Sequence, residues 1–214
     1  MKKTTVIFDF DGTIMNTNEV IIRSWQHAFR TIEGKERPLE GILKSFGEPL
    51  DVSMARLFPN MPLEDAIEVY RSYHRDNFGE AISVFPGMRE LLESLKGDGY
   101  AVALVTSRLR DTTWQGLDKY GLAPFFDTVV TCEDTAAHKP DPAPLLKALA
   151  NMGRAPEEAV MVGDTMADVR SARRGGVASV LVGWAAAVTE EEKSGPEAPD
   201  FIIDKAEDLY GVLG

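Results

Sequence analysis

Two aspartates one residue apart, in Asp9-Phe10-Asp11-Gly12-Thr13, follow directly on the apolar run Val6-Ile7-Phe8. A strand over that run places both carboxylates at its carboxyl end and on one side of the chain, because side chains two apart share a face. Carboxylates held that close repel, and the remedies are a bound cation or a shared proton. Taken alone, the five-residue string also suits a helix cap or a solvated turn, but its place after a buried strand favours chemistry. Thr106-Ser107 closes the run Ala101 to Val105 and offers hydroxyls that can donate to a phosphate oxygen, although such residues are also common at strand ends. Lys139, in His138-Lys139-Pro140-Asp141-Pro142, is a cation in a loop stiffened by prolines, where a lysine is ordinarily solvated. Gly163-Asp164-Thr165-Met166-Ala167-Asp168 follows a further apolar run and opens a helix; its acids, four apart, lie on one helical face or cap the helix. Acids at two strand ends, a hydroxyl at a third and a cation nearby make a phosphate site. Hard oxygen donors without histidine or cysteine partners suit magnesium rather than zinc. The lysine then has a task, holding the negative charge that develops on a transferring phosphoryl group.

The elements that must position these residues are legible as alternating patterns. Short apolar runs at 6–8, 101–105, 128–130, 159–162, 179–182 and 201–203 lack polar alternation, as strands covered on both faces do. Helix candidates lie between them, such as Met88 to Lys96 after Pro86-Gly87 and Ala143 to Met152 before Gly153. The expected fold is α/β, a doubly wound, Rossmann-like parallel sheet. From Asn16 to Gly79 no convincing strand is found, only helical periodicity at 19–32 and 63–78 with shorter helices between. The expected division is therefore a catalytic core of 1–15 and 80–214 with a small helical cap, 16–79, inserted after the first strand. Such an insert belongs over the carboxyl ends of the strands, where ligands bind in open α/β sheets; a helical layer packed permanently on the sheet is the plainer alternative. The segment Ala185 to Pro199 reads as a long polar loop.

Composition narrows the partners. With 34 acidic against 23 basic side chains and a formal charge of −11, the chain lacks the basic footprint of a nucleic-acid binder. The first five residues lead into only a short apolar run before Asp9, too short for a signal peptide or a membrane span, so a cytoplasmic protein is expected. Cys132, the single cysteine, reads as a buried apolar side chain rather than a nucleophile. The expected partner is a small phosphorylated compound, with the chain acting as monomer or homodimer and neither nucleic acid nor membrane involved.

The segments around Asp9, Thr106, Lys139 and Gly163 to Asp168, in this order, resemble the four motifs of the haloacid dehalogenase superfamily, over Val6 to about Trp184. The helical insert is similar to the α-helical cap of the phosphoglycolate phosphatase and β-phosphoglucomutase group. Asn16-Thr17-Asn18-Glu19 and Pro199 to Asp204 most resemble the bacterial pyrophosphatases of the superfamily. The resemblance implies a phosphohydrolase with Asp9 as nucleophile and Asp11 as general acid, then base. It implies that Gly12, Thr106, Ser107 and Lys139 bind the phosphoryl group. It implies Mg2+ on the Asp9 carboxylate, the Asp11 backbone carbonyl and Asp164, with Asp168 close by through water. Asp11 also speaks for phosphate over carbon–halogen bonds, because dehalogenase members lack that second acid. Asn16 stands where many relatives have a further aspartate, and Ser107 where asparagine is frequent. The substrate expected is a compact anion, pyrophosphate or 2-phosphoglycolate. A sugar-phosphate phosphatase or phosphomutase is the alternative, and a non-enzymatic phospho-ligand binder a more distant one. Glu48, the only charge in the turn Phe46 to Leu50, offers nothing to a second phosphate, so any cation from the insert is expected from Lys44 or Arg56.

Overall fold

A computed structural model of the protein describes residues 2–214. Eight strands and ten α-helices follow one another as β1 (Thr5–Phe8), β2 (Met15–Asn16), α1 (Asn18–Glu33), α2 (Leu39–Leu43), α3 (Leu50–Leu57), α4 (Leu63–Asn77), β3 (Ser83–Val84), α5 (Met88–Gly97), β4 (Ala101–Val105), α6 (Arg110–Lys119), β5 (Thr128–Val130), α7 (Ala143–Met152), β6 (Ala159–Gly163), α8 (Met166–Arg174), β7 (Ala178–Val182), α9 (Glu190–Ser194), β8 (Phe201–Ile203) and α10 (Leu209–Leu213). Six strands form one sheet in the order β5-β4-β1-β6-β7-β8, with parallel pairing throughout. This is the doubly wound α/β sheet that the apolar runs predict.

The central strand β1 is buried along its whole length and pairs on both sides, Thr5 with Ala101 and Ala159, and Phe8 with Leu104 and Val162. Ile7, Ala103, Val105 and Met161 meet Leu145, Ala148 and Leu149 of α7 and Ala172 of α8 in one apolar cluster. The alternate residues Val6, Phe8, Val102, Leu104, Val160 and Val162 are fully buried too. Burial on both faces is why these strands carry no polar alternation.

The chain divides into two compact units, one running to Met15 and resuming at Val84, the other Asn16–Ser83. The second unit is helical because its sequence is punctuated for it. Pro38, Pro49 and Pro62 directly precede α2, α3 and α4, each with backbone angles that open a helix, and Gly34, at φ 72°, ends α1 in the left-handed conformation. Its own core gathers Trp25, Phe29, Ile42, Met54, Phe58 and Tyr70. His74 is buried there, stacked on Tyr70 and tilted against Phe78, with its Nδ1 3.3 Å from Ser24 Oγ. Lys44 and Arg56 are both taken by acids of this same unit, Lys44 by Glu40 at 3.1 Å and Arg56 by Glu48 at 2.6 Å.

The structure departs from the sequence expectations at four points. The helical unit extends to Ser83 rather than 79, and the short strands β2 and β3 pair with each other where the chain leaves and rejoins the first unit. Two residues each are too few for a periodicity to register. The polar stretch 185–199 contains α9, opened by a capping box in which Thr189 Oγ1 accepts from the Glu192 amide and the Glu192 carboxylate accepts from Thr189. Helix α6 carries little apolar patterning and was not foreseen. Cys132 is half-buried, its Sγ 3.4 Å from the Glu133 carboxylate, and is no core residue. Among the described residues no helix is long and apolar enough to cross a membrane.

Gly116 of α6 shows why that helix lies where it does. A Cβ there would meet the ring carbon Cζ of fully buried Phe10 at 2.6 Å, so only glycine lets the helix press on the residue between the two aspartates. Helix propensity favours Gly116→Ala by roughly 1 kcal/mol, but overpacking an aromatic core costs about 1–3 kcal/mol and wins. The expected outcome is a net loss of about 1 kcal/mol, read as a melting temperature roughly 2–4 °C lower. A melting temperature equal to or above that of the parent would show that the ring gives way freely.

Candidate active site

Asp9, Thr106 and Asp164 stand just beyond the carboxyl ends of β1, β4 and β6, Lys139 lies in the loop between β5 and α7, and Asp168 lies in the first turn of α8. Asp9 follows β1, and its amide donates to the Val162 carbonyl at 2.9 Å, continuing the ladder by one residue. The chain then turns tightly, with the Gly12 amide donating to the Met15 carbonyl and the Met15 amide to the Phe10 carbonyl. Gly12 sits at φ 74°, and a Cβ on it would fall 2.0 Å from Asp164 Oδ2. Both its handedness and its closeness to Asp164 therefore require glycine. The indole N–H of Trp184, which follows β7, donates to the Gly12 carbonyl at 3.1 Å, and its ring packs on Phe85.

Thr106 extends β4 through its amide to the Val130 carbonyl, and its Oγ1 accepts from the Arg108 amide at 3.1 Å. Ser107 beside it is half-buried. Lys139 is held by its surroundings. Its loop is anchored by Ser171 Oγ donating to the Asp141 carbonyl and by Arg174 donating to the Pro140 carbonyl. Its ammonium, only 5% exposed, donates to Asp9 Oδ1 at 2.7 Å, Asp168 Oδ1 at 2.7 Å and the Val105 carbonyl at 3.2 Å. All three donors of the ammonium are thus in use.

Asp164 and Asp168 do not share a helical face. Thr165 is the N-cap of α8, so Asp164 precedes the helix while Asp168 is the third residue within it. Asp168 Oδ2 accepts from the Thr165 amide and hydroxyl in a capping box, and its Oδ1 faces Lys139. The cap therefore aims the acid at the lysine. Gly163 permits this, since a Cβ there would lie 2.4 Å from Asp168 Cβ.

Asp9, Asp164 and Asp168, all buried, can bring one oxygen each within 4.8 Å of one another. Asp164 Oδ1 is buried with no hydrogen-bond partner. An orphaned carboxylate oxygen beside a second carboxylate is what a hard cation satisfies, so the donor set fits a divalent cation such as magnesium, for which Asp9 and Asp164 would be the ligands. Both oxygens of Asp168 are already engaged, which leaves it to orient Lys139. Burial first, and then the facing Asp168 and Asp11 charges, push the Asp9 carboxyl up to about 7 against the opposing pull of Lys139. Burial, followed by Asp9 and Asp168, holds Asp164 well above the usual carboxylate range. Burial alone would lower Lys139, yet Asp168 and Asp9 more than reverse it and keep the ammonium charged.

Reasoning from sequence overlooked Arg108. Its side chain is 8% exposed, and one nitrogen, Nη1, reaches Asp11 Oδ1 at 3.1 Å and Oδ2 at 3.3 Å. The available signal was its position two residues after Thr106, on a loop bound for the same strand ends. Trp184 was likewise legible only as the end of the resemblance.

A parallel α/β sheet carrying paired aspartates after its central strand, with a lysine and a further acid beside them, defines a hydrolase of the haloacid dehalogenase type. Residues 6–182 match the family model for haloacid dehalogenase-like hydrolases, and the chain belongs to that family. It is 34% identical over 214 residues to the pyrophosphatase PpaX of Halalkalibacterium halodurans, covering 100% of this chain and 98% of the relative. To the pyrophosphatase PpaX of Bacillus cereus it is 37% identical over 215 residues, covering 100% and 97%. The fold is shared with a haloacid dehalogenase-like family hydrolase from Streptococcus pneumoniae, at a TM-score of 0.86 and 23% identity, with 99% of each chain covered.

The carboxylate cluster makes stability depend on pH and metal together. An acid with a folded value of about 7 and an ordinary value of 3.8 favours the folded state at low pH, and that contribution is lost as pH rises from about 4 to about 7. The metal-free protein should therefore melt lower at pH 7.5 than at pH 5.5 because of this site, and Asp9→Asn should flatten the difference. Magnesium should raise the melting temperature more at pH 7.5 than at pH 5.5, because at the lower pH it competes with protons. A magnesium effect equal at both pH values would place the cation elsewhere.

Proposed function

We propose that this chain is a cytoplasmic, magnesium-dependent phosphohydrolase that cleaves a small phosphorylated compound, inorganic pyrophosphate by preference, through a phosphorylated Asp9. The observation that carries the reading is the fixing of one Asp9 oxygen at 2.7 Å from a buried lysine, next to an acid two residues on and an orphaned Asp164 oxygen. The preference for pyrophosphate rests on full-length similarity to proteins named pyrophosphatase. 2-Phosphoglycolate, which also carries a second anionic group, is the next candidate. The helical unit inserted after β1 serves as the cap of this core.

In the first half-reaction an Asp9 oxygen attacks phosphorus while the bond to the leaving oxygen breaks, and Asp11 gives that oxygen its proton. In the second, Asp11 takes a proton from the water that attacks phosphorus, and the bond to Asp9 breaks to release phosphate. Splitting one displacement in two is the gain from a carboxylate nucleophile. Lys139, exchanging its long contact with the Val105 carbonyl for a phosphoryl oxygen, and Thr106 hold the phosphoryl group, with Gly12 and Ser107 lining the site, and the ammonium stays charged throughout because Asp168 secures it. Asp9, Asp164 and the Asp11 carbonyl would hold a magnesium ion, which when bound would neutralise the carboxylates and phosphate together.

Release of inorganic phosphate from pyrophosphate, 2-phosphoglycolate and hexose phosphates tests the reading. Asp9→Asn should lower turnover by more than about 10³-fold while the protein remains folded, as loss of a nucleophile does. Asp11→Asn should lower it by about 10²- to 10⁴-fold. Excess chelator should abolish activity and added magnesium restore it. A hexose phosphate favoured tenfold or more over pyrophosphate would move the chain to the sugar-phosphate phosphatases or mutases, and near-normal turnover by Asp9→Asn would exclude the covalent route.

A further inference from the structure

Among the ion pairs of the described residues, only those of Lys139 and Arg108 have a cation less than a tenth exposed; every other lysine or arginine in a pair is at least 20% exposed. Burying a cation is costly, and a buried arginine beside a carboxylate that has chemistry to do marks a functional position. Arg108 is also held in place. Its amide donates to Thr106 Oγ1, its carbonyl accepts from the Cys132 amide at 3.1 Å, and its guanidinium lies over the Phe10 ring at 5.8 Å. Phe10 is in turn fixed by Gly116.

The contact with Asp11 is not the one a permanent arginine–carboxylate pair adopts. A structural pair presents two nitrogens to two oxygens at about 2.7–2.9 Å. Here one nitrogen serves both oxygens at 3.1 and 3.3 Å, and the carboxylate is the more exposed partner, at 25%. This is a loose pair between a well-anchored cation and the acid that faces the leaving group. The two cations also divide the site. Lys139 lies on the Asp9 side, where the transferred phosphoryl group forms its new bond, and Arg108 lies on the Asp11 side, where the leaving oxygen departs. The helical unit's candidates for this task, Lys44 and Arg56, are paired within their own unit.

We propose that Arg108 is the specificity-determining residue for the leaving group: it exchanges its loose contact with Asp11 for the second anionic group of the substrate, the outer phosphate of a diphosphate. The inference rests on the hydrolase reading for the roles of Asp9 and Asp11, and extends it by naming the part of the substrate that Arg108 reads. A neutral alcohol leaving group offers the guanidinium no such partner, so the arrangement selects for charge beyond the scissile oxygen.

The test measures binding rather than turnover, so that it stands apart from the hydrolase reading. Calorimetric affinities of the full chain for imidodiphosphate and for orthophosphate are compared, with magnesium present, for the parent, Arg108→Gln and Arg108→Lys. Arg108→Gln should reduce the ratio of diphosphate to orthophosphate affinity by about 30-fold, the scale of one charge-assisted hydrogen bond. Arg108→Lys should keep that ratio within about fivefold of the parent. Arg108→Met, which keeps the stem packed beside Phe10, replaces the glutamine variant if thermal melting shows the latter unfolded. An unchanged ratio in a folded neutral variant, or equal weakening of both ligands, overturns the proposal. Pyrophosphate turnover by the parent, measured in parallel, reports on the hydrolase reading independently.

Discussion

The ammonium of Lys139, shared between Asp9 and Asp168 in the interior, is the constraint on which the rest of the site depends. Four carboxylates, those of Asp9, Asp11, Asp164 and Asp168, converge, and among the described residues the cations Lys139 and Arg108 pair with three of them. Isolated buried charges neutralise or unfold their surroundings, so such a cluster persists only when every charge has a counterpart. Lys139 answers two of the acids and Arg108 a third. Asp164 is left over, and its raised proton affinity and orphaned oxygen express the same deficit of positive charge. One bound divalent cation would remove it.

Holding these groups together requires backbone that side chains do not obstruct. Gly12 lets the first turn pass beside Asp164, Gly163 lets α8 bring Asp168 against the end of β6, and the Thr165 cap rotates Asp168 toward Lys139. The loop of Lys139 is anchored through Ser171 and Arg174 to α8, the same helix that carries its orienting acid. These contacts are what convert four separate sequence segments into a single electrostatic unit.

What was legible in the sequence follows from the physics of each feature. The six strands of the sheet show in apolar runs because both faces of the sheet are covered, and Asp9, Thr106 and Asp164 show because each stands at the end of such a run, whereas Lys139 shows only by the prolines around it. Features set by three-dimensional closeness did not show. Arg108 looks like any loop arginine until Asp11, 97 residues earlier in the chain, is beside it. Helix α6 is hidden because its close contact is made by a glycine, which carries no hydrophobic signal. The ambiguity between a shared face and a cap for Asp164 and Asp168 is resolved by where Thr165 starts the helix, and helix boundaries are what spacing predicts least well. Lys44 and Arg56 were plausible cations on charge alone; their acidic partners are local, but which acid each meets depends on the packing of α2 and α3.

The position of β1 has a consequence for how the protein is made. It is the first strand of the chain, yet its two neighbours are β4 and β6, whose register partners for Thr5 are Ala101 and Ala159. During synthesis at about 5–20 residues per second, Val6, Ile7 and Phe8 leave the ribosome roughly 8–30 seconds before the second neighbour exists. Until β4 emerges the apolar run Val6-Ile7-Phe8 has no edge to pair with, and until β6 emerges it has only one, whereas the helical segment 16–83 can already gather its own local core. The acids of the site remain solvated until β6 docks, so their mutual repulsion opposes only the last stage of assembly. Newly made chains of this protein are therefore most exposed to aggregation, and most in need of chaperone cover, before Gly163 has emerged.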